Sequence, residues 1–157
     1  MLARTVERVR ELARTGRHDD AIEAATRALA VAGLPPATQL DLLDLRAESH
    51  IARGEIARAA EDAATMRRTA AAASKDPRRT ALAAQAYARE ALVQMRNGRF
   101  REAGRAAAAA LKAARAADDL PLVAHCHFRL AEAQFRESLH AQAIKQAMLA
   151  IAQFRQL

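Results

Sequence analysis

A short segment recurs four times along the chain, and this repetition limits the fold more than any other feature. The four copies occupy residues 16–22, 54–60, 98–104 and 138–144 of the 157 residues. Each copy contains an alanine at the same position, and these alanines are 38, 44 and 40 residues apart. A turn that recurs at such intervals, between stretches rich in small apolar residues, is typical of stacked pairs of helices. The sequence therefore predicts four helix pairs.

The composition agrees with a helical fold. Alanine contributes 44 residues, whereas aromatic residues make up only 3% of the chain. A sheet protein needs β-branched and aromatic residues, and alanine is the strongest helix former. Five glycines and four prolines leave little room for long loops. We predict a single all-α domain over residues 1–157, with helices near 2–14, 18–32, 37–52, 56–73, 77–96, 100–117, 121–136 and 140–156.

Glycine marks the turn within three of the predicted pairs. Gly16, Gly54 and Gly98 suit the left-handed position that follows the last residue of a helix. Ser138 occupies this position in the fourth pair and has a Cβ, so we expect a different turn there. The second residue after each turn should fold back between the two helices. These residues are His18, Ile56, Phe100 and His140.

Three polar sites, two single residues and one short segment, are candidates for capping the helices that begin a new pair. Thr38 follows two prolines, and Asp76 precedes Pro77, a residue favoured in the first helical turn. The segment from Asp118 to Pro121 has the same pattern. We expect each of these side chains to accept a hydrogen bond from the first turn of the helix that follows.

The recurring segments resemble tetratricopeptide repeats of the longer bacterial variety, with about 40 residues in each repeat. The family's turn pattern, Gly-Asp-Tyr-Asp-Glu-Ala-Ile, is matched by residues 16–22 and more loosely by the other copies. Leu130 conforms to a family leucine, whereas Arg8, Arg46 and Glu90 replace it. The resemblance implies a right-handed α-solenoid of four antiparallel helix pairs, a tetratricopeptide-like α-α superhelix. Its repeats would cover residues 2–35, 37–75, 77–118 and 120–157.

The resemblance also implies a concave groove lined by the first helix of each pair, where a protein or peptide segment binds. Acidic residues follow one face of the third helix, and arginines spaced seven apart follow the fifth and seventh. Apolar residues such as Leu92 and Phe128 would anchor the bound segment. The alternative is that these charges only solvate amphipathic helices. The candidate groove residues are Arg10, Arg14, Asp41, Asp44, Glu48, Arg89, Leu92, Arg96, Phe128, Arg129, Glu132 and Arg136.

The residues give little support for an enzyme or a metal protein. No Gly-rich phosphate loop or nucleophile elbow occurs in the sequence. His125 and His127 are two residues apart, so on a helix they point in different directions and cannot share one ion. Cys126 between them is the only cysteine, and we expect it to pack as a small apolar residue. The sequence predicts neither a catalytic activity nor a cofactor.

The charge of the chain is compatible with several partners. A formal net charge of +7 favours acidic partners or nucleic acid. However, the arginines are interleaved with acidic residues, and few aromatic residues are present to stack on bases. The sequence therefore favours a protein partner over nucleic acid. No apolar stretch is long enough to span a membrane, and no secretory signal is visible, so we expect a cytoplasmic protein.

The last predicted helix has apolar residues that nothing in the sequence covers. Ile144, Met148 and Ile151 follow one side of the helix, and Phe154 lies on an adjoining side. Solenoids normally finish with a polar capping helix. We therefore expect an N-terminal regulatory domain of a larger bacterial protein. The alternative function is a dimerising sensory segment of a signalling enzyme such as a nucleotide or diguanylate cyclase, with the homodimer formed through residues 140–157.

Overall fold

The structure is a computed structural model that describes residues 2–157. These residues form eight α-helices and no strand, as the sequence predicts. Every helix begins and ends within three residues of its expected position. The helices are α1 (Leu2–Arg14), α2 (His18–Leu29), α3 (Pro36–Ala52), α4 (Ile56–Ala72), α5 (Arg79–Arg96), α6 (Phe100–Ala116), α7 (Leu120–Arg136) and α8 (His140–Phe154).

The chain divides into two compact units, Met1–Lys75 and Asp76–Leu157. The division falls between the second and third predicted repeats, and each unit contains four helices. The organisation of residues 1–157 as one repeat domain therefore stays a prediction.

In the first unit, α1 packs against both α2 and α3, while α3 also packs against α2 and α4. The recurring alanines Ala21 and Ala59 are fully buried, so the helices approach closely where the sequence repeats. Removing this apolar surface from water is the main stabilising contribution. One core cluster of this unit consists of Val6, Val9, Leu12, Ala13, Ala21, Ala25, Leu42 and Leu45.

The second unit repeats this arrangement. Helix α5 packs against α6 and α7, and α7 also packs against α6 and α8. Ala103 and Ala143, the remaining recurring alanines, are buried. Alanine dominates the interior because its small side chain lets neighbouring helix backbones approach. One core cluster consists of Ala84, Ala110, Leu111, Ala114, Val123 and Cys126.

Five of the seven helix connections within residues 2–157 have the same backbone geometry. In each, the left-handed residue donates its N–H to the carbonyl three residues earlier, and the next residue donates to the carbonyl five residues before its own position. The distances are 2.8–3.1 Å, and the pattern is a Schellman motif. Gly16, Gly54 and Gly98 hold the left-handed position, as predicted, and Asp118 and Ser138 hold it in the other two turns.

The expectation of a different fourth turn was wrong. Ser138 has a φ of 62° and closes the turn with the same two hydrogen bonds as Gly98, whose φ is 72°. The hydrogen bonds and the packing of the flanking helices outweigh the strain of a Cβ in this conformation. His140, just after this turn, is exposed rather than folded between helices, whereas His18, Ile56 and Phe100 are half-buried as expected.

Two of the three predicted caps differ from expectation. Helix α3 begins at Pro36, and the N-cap residue is Pro35 rather than Thr38. Proline suits the first helical position, because an N–H at this position would have no partner within the helix and Pro36 has none. Asp76 Oδ1 accepts a hydrogen bond from the N–H of Arg78 at 2.8 Å. The backbone carbonyl of Asp76 accepts from the N–H of Arg79 in a turn, however, and α5 begins only at Arg79. Asp119 caps α7 as predicted by accepting from the N–H of Leu122 at 3.0 Å.

An ion pair joins α3 to α4 at a position where the family resemblance implies leucine. Arg46 donates to Asp62 through Nε at 3.0 Å and through a terminal nitrogen at 2.6 Å. Its other terminal nitrogen donates to Thr26 of α2 at 3.0 Å. The Asp62 side chain is 6% exposed, and a buried carboxylate left without its partner costs several kcal/mol, about 3–5 in comparable cases. Arg46 therefore supports the packing of three helices.

Glutamine occupies equivalent core positions in the last two pairs. Gln94 and Gln134 each lie four residues before the left-handed residue of their turn, and the side-chain oxygen of each is buried without a hydrogen-bond partner. His50 and Leu12 occupy the same position in the second and first pairs. An unsatisfied buried oxygen is unfavourable, so these two glutamines are weak points of the second unit.

Candidate functional site

The predicted groove residues lie on four helices that are equivalent in the two units. Those of the first unit lie on α1 and α3, and those of the second lie on α5 and α7. In each unit these two helices contact one another directly, so their side chains belong to neighbouring helix surfaces. The exposed members are Arg10, Arg14, Glu48, Arg96, Phe128 and Arg136, and the half-buried members are Asp41, Asp44, Arg89, Leu92, Arg129 and Glu132.

The arginines of α1 are paired within their own helix. Arg10 contacts Glu7 at 2.6 Å, and Arg14 donates to both carboxylate oxygens of Glu11 at 2.7 and 2.9 Å. The two hydrogen bonds between them lower the pKa of the Glu11 carboxyl and raise the pKa of the Arg14 guanidinium. Exposed pairs of this kind contribute little to stability. They balance the charges of these two arginines, while Arg4 and Arg8 leave α1 with four basic and two acidic residues, a net charge of +2.

Helix α3 supplies the acidic part of the first unit. Asp41, Asp44 and Glu48 follow one another at intervals of three and four residues, which places them along one side of the helix. Glu48 is exposed, whereas Asp41 and Asp44 are half-buried, and all three have polar or electrostatic partners. The acidic members of the candidate groove in the first unit therefore all lie on α3.

Helices α5 and α7 combine basic and apolar groups. Arg129 donates to Glu132 at 2.7 Å, and its guanidinium lies 5.4 Å from the centre of the Phe128 ring. The guanidinium of Arg136 lies 4.7 Å from the centre of the Phe100 ring, a cation–π contact that fixes its position. Leu92 is half-buried on α5, and Arg96 is exposed at its end. This surface suits a segment with both acidic and apolar side chains.

Sequence reasoning missed a charged network near the turn between α3 and α4. The buried His50 ring contacts Glu55 through Nδ1 at 2.7 Å, and Arg53 pairs with both Glu55 and Asp19. The hydrogen bond from His50 is the main cause of a lowered pKa at Glu55, and Arg53 and Arg58 add to it. Asp19 is the chief cause of the raised pKa of Arg53. The network ties the start of α2 to the α3–α4 turn.

The segment from His125 to His127 is part of the packing of α7. His127 is buried, and it accepts a hydrogen bond at Nε2 from Arg115 at 3.2 Å. Because a guanidinium can only donate, the ring proton is on Nδ1, which contacts Gln146 Oε1 at 2.6 Å. Cys126 is 2% exposed, and burial, with a smaller contribution from Asp119, raises the pKa of its thiol to about 11. These residues join α7 to α6 and α8.

Helix α6 carries a basic stripe that the sequence analysis also missed. Arg101, Arg105, Lys112 and Arg115 are all exposed, and their spacing of 4, 7 and 3 residues places them on one side of the helix. Arg101 approaches Glu137 at 3.8 Å. The same spacing could have been found in the sequence. The second unit as a whole contains 13 of the 25 basic and 7 of the 18 acidic residues, which is +6 of the net charge of +7.

Two further properties of the described residues bear on the kind of site present. Across residues 2–157, His, Cys, Asp and Glu side chains form no group of three or more that could hold a metal ion. None of the helices in this part of the chain has the length and apolar character needed to cross a membrane.

No protein-family model matches the chain, and the curated proteins contain no similar sequence.

Proposed function

We propose that the chain is a tetratricopeptide-like, right-handed α-solenoid of four helix pairs and acts as a non-catalytic scaffold that binds a protein or peptide segment. The binding surface would be formed by the first helix of each pair. The candidate groove residues from Arg10 to Arg136 would make the contacts. This role suits an N-terminal regulatory domain of a larger bacterial protein.

One observation carries the proposal. In each unit the first helices of successive predicted pairs contact one another, α1 with α3 and α5 with α7. Stacked helix-pair repeats place their first helices side by side in this way, and the resulting surface is where such repeats bind their partners. The recurring turns and the buried alanines beside them support the same repeat assignment.

The charges of the surface favour a partner with charged side chains. Helix α3 offers acidic groups, whereas α5 and α7 offer arginines beside Leu92 and Phe128. Apolar side chains supply most of the binding free energy at such surfaces, and charged groups set orientation and specificity. An amphipathic or extended peptide with acidic residues near an apolar anchor fits the α5 and α7 surface.

Selection from a random peptide library tests this proposal. The library, displayed on phage, would be selected on the immobilised full chain, and the enriched peptides would be titrated against purified variants by fluorescence anisotropy. We expect enriched peptides to contain acidic and apolar residues. Reversing two exposed charges of α5 and α7, with Arg96→Glu and Arg136→Glu together, should weaken their binding by about 10-fold or more.

The α6 stripe provides a matched control. The pair Arg105→Glu and Lys112→Glu changes the net charge equally on a helix outside the predicted groove. It should leave peptide binding within about twofold of the wild type, since rim and remote charges act mainly through the long-range field. The proposal would be contradicted if the α6 variant lost binding and the α5–α7 variant kept it. Steeply salt-dependent binding to duplex DNA, lost in the α6 variant, would favour a nucleic-acid function instead.

A further inference from the structure

Helices α7 and α8 share an exposed apolar surface. Two ring contacts align the helices: His125 lies against Phe154, with ring centres 5.1 Å apart, and Phe135 lies against His140 at 5.4 Å. The start of α7 therefore meets the end of α8, and the end of α7 meets the start of α8. The exposed side chains at and between these contacts form what we call the α7–α8 patch: Phe128, Phe135, Ile144, Met148, Ile151 and Phe154.

The exposure of this patch is unusually high for large apolar residues. Met148 is 65% exposed, Phe135 62% and Ile144 61%, and the other three members are 41–52% exposed. With about 200 Å² for each fully exposed side chain, the patch presents on the order of 600–700 Å² of apolar surface. Monomeric proteins rarely leave a larger contiguous patch uncovered, and a stable interface buries about 800 Å² on each partner. The patch and its rim have the size of one dimer interface.

Two-fold symmetry suits this patch. In a two-fold dimer the same patch meets itself, so α7 of one copy can cross α8 of the other twice. Each crossing would bury the exposed apolar side chains of both helices. None of the six patch side chains is charged, and Glu132 beside them on α7 is already paired with Arg129 at 2.7 Å, so no unpaired acidic group is buried with them. A second copy of the chain therefore fits the area of the patch.

From these observations we infer that the α7–α8 patch is the contact surface of a homodimer with two-fold symmetry. Phe128 lies in both the patch and the candidate groove, so a dimer would compete with a peptide for this side chain, whereas Arg96 of α5 is outside the patch. The inference does not depend on the proposed peptide binding. The patch includes residues of both α7 and α8, so both helices must contribute to the dimer.

Sedimentation equilibrium of the full 17.0 kDa chain, from roughly 1 to 500 µM, tests the inference. We expect a monomer–dimer equilibrium that reaches twice the chain mass. Met148→Glu on α8 and Phe135→Glu on α7 should each raise the dimer dissociation constant by about 30-fold or more, because every substituted carboxylate is placed in both halves of the interface. Both residues are more than half exposed, so the substitutions remove little packing from the monomer.

Gln142→Glu is the matched control, since this exposed position lies about 120° around α8 from Met148. It should leave the dissociation constant within about twofold. The inference is overturned by a wild type that stays monomeric over the whole range or by a dimer insensitive to both Glu variants. It is also overturned if only the α8 variant matters, or if the association continues to open-ended assemblies. Circular dichroism should show that each variant keeps the helix content of the wild type. Met148→Lys repeats the test with the opposite charge and should also weaken the dimer.

Discussion

Replacing Ser138 by glycine should stabilise the second unit. Ser138 adopts a φ of 62°, a conformation that costs a residue with a Cβ about 1–2 kcal/mol. Glycine removes this strain but increases the freedom of the unfolded chain, which costs about 0.4–1 kcal/mol. We therefore expect Ser138→Gly to raise the free energy of unfolding by about 0.5–1 kcal/mol. The turn hydrogen bonds, at 2.8 and 3.0 Å, involve only the backbone and should be unchanged.

The chain offers two controls for this prediction. Gly98 occupies the same turn position with a φ of 72°, and a Cβ there would meet nothing within 4 Å. Gly98→Ser should therefore lower the free energy of unfolding by a similar amount, because only the backbone conformation is strained. Ser74 lies in a connection without positive φ, so Ser74→Gly should be neutral or slightly destabilising. Urea unfolding, followed by circular dichroism, measures the free energy of unfolding of all three variants. The slope of this free energy against urea concentration should be the same as in the wild type. A neutral or destabilising Ser138→Gly, beside a destabilising Gly98→Ser, would refute the reasoning.

Other predictions follow from single residues. Gly104→Ala should stabilise by about 0.5–1 kcal/mol in urea unfolding, because Gly104 is helical and a Cβ would make only ordinary contacts at 3.6–3.7 Å; destabilisation would indicate a clash. Gln94→Leu, which copies Leu12 at the equivalent position, should stabilise by about 1 kcal/mol since it removes an unsatisfied buried oxygen; a destabilised variant would show that the oxygen has a partner. Cys126 should react with a thiol reagent at pH 8 far more slowly than a free thiol, because its pKa is about 11 and it is buried. Fast labelling of the native protein would contradict this. The lowered pKa of Glu55 stabilises the fold above its ordinary value of 4.5, and this contribution disappears as the pH falls through the lower folded pKa. Glu55→Gln should therefore reduce the loss of stability between about pH 5 and pH 3, measured by urea unfolding at each pH, and an unchanged slope would contradict the assignment.

The positions of the helices could be predicted because local signals mark them. Glycine at a left-handed turn and proline at a helix start act through the backbone of a few neighbouring residues, so the sequence alone reveals them. Gly16, Gly54 and Gly98 marked the turns of three pairs correctly. The prediction at Ser138 failed because the packing of the flanking helices, which is not a local property, decided the conformation of that turn.

Side-chain partners between helices could not be predicted. Arg46 and Asp62 are sixteen residues apart, and nothing in their local sequence shows that their helices face one another there. The same is true of His127, which contacts side chains of two other helices. For the candidate site, the resemblance placed residues on α1, α3, α5 and α7. The pairing of Arg10 and Arg14 with Glu7 and Glu11 within α1 could have been predicted from their spacing of three residues.

Chemical-shift mapping of a selected peptide is the most direct test of the proposed scaffold function. The ¹⁵N-labelled chain would be titrated with one enriched peptide, and the amide shifts would be assigned to helices. We predict that the largest changes fall on α1 and α3 or on α5 and α7, with Arg89, Leu92 and Arg96 among the affected residues of α5. Changes confined to α2, α4 and α6, with these four helices unaffected, would contradict the proposed function.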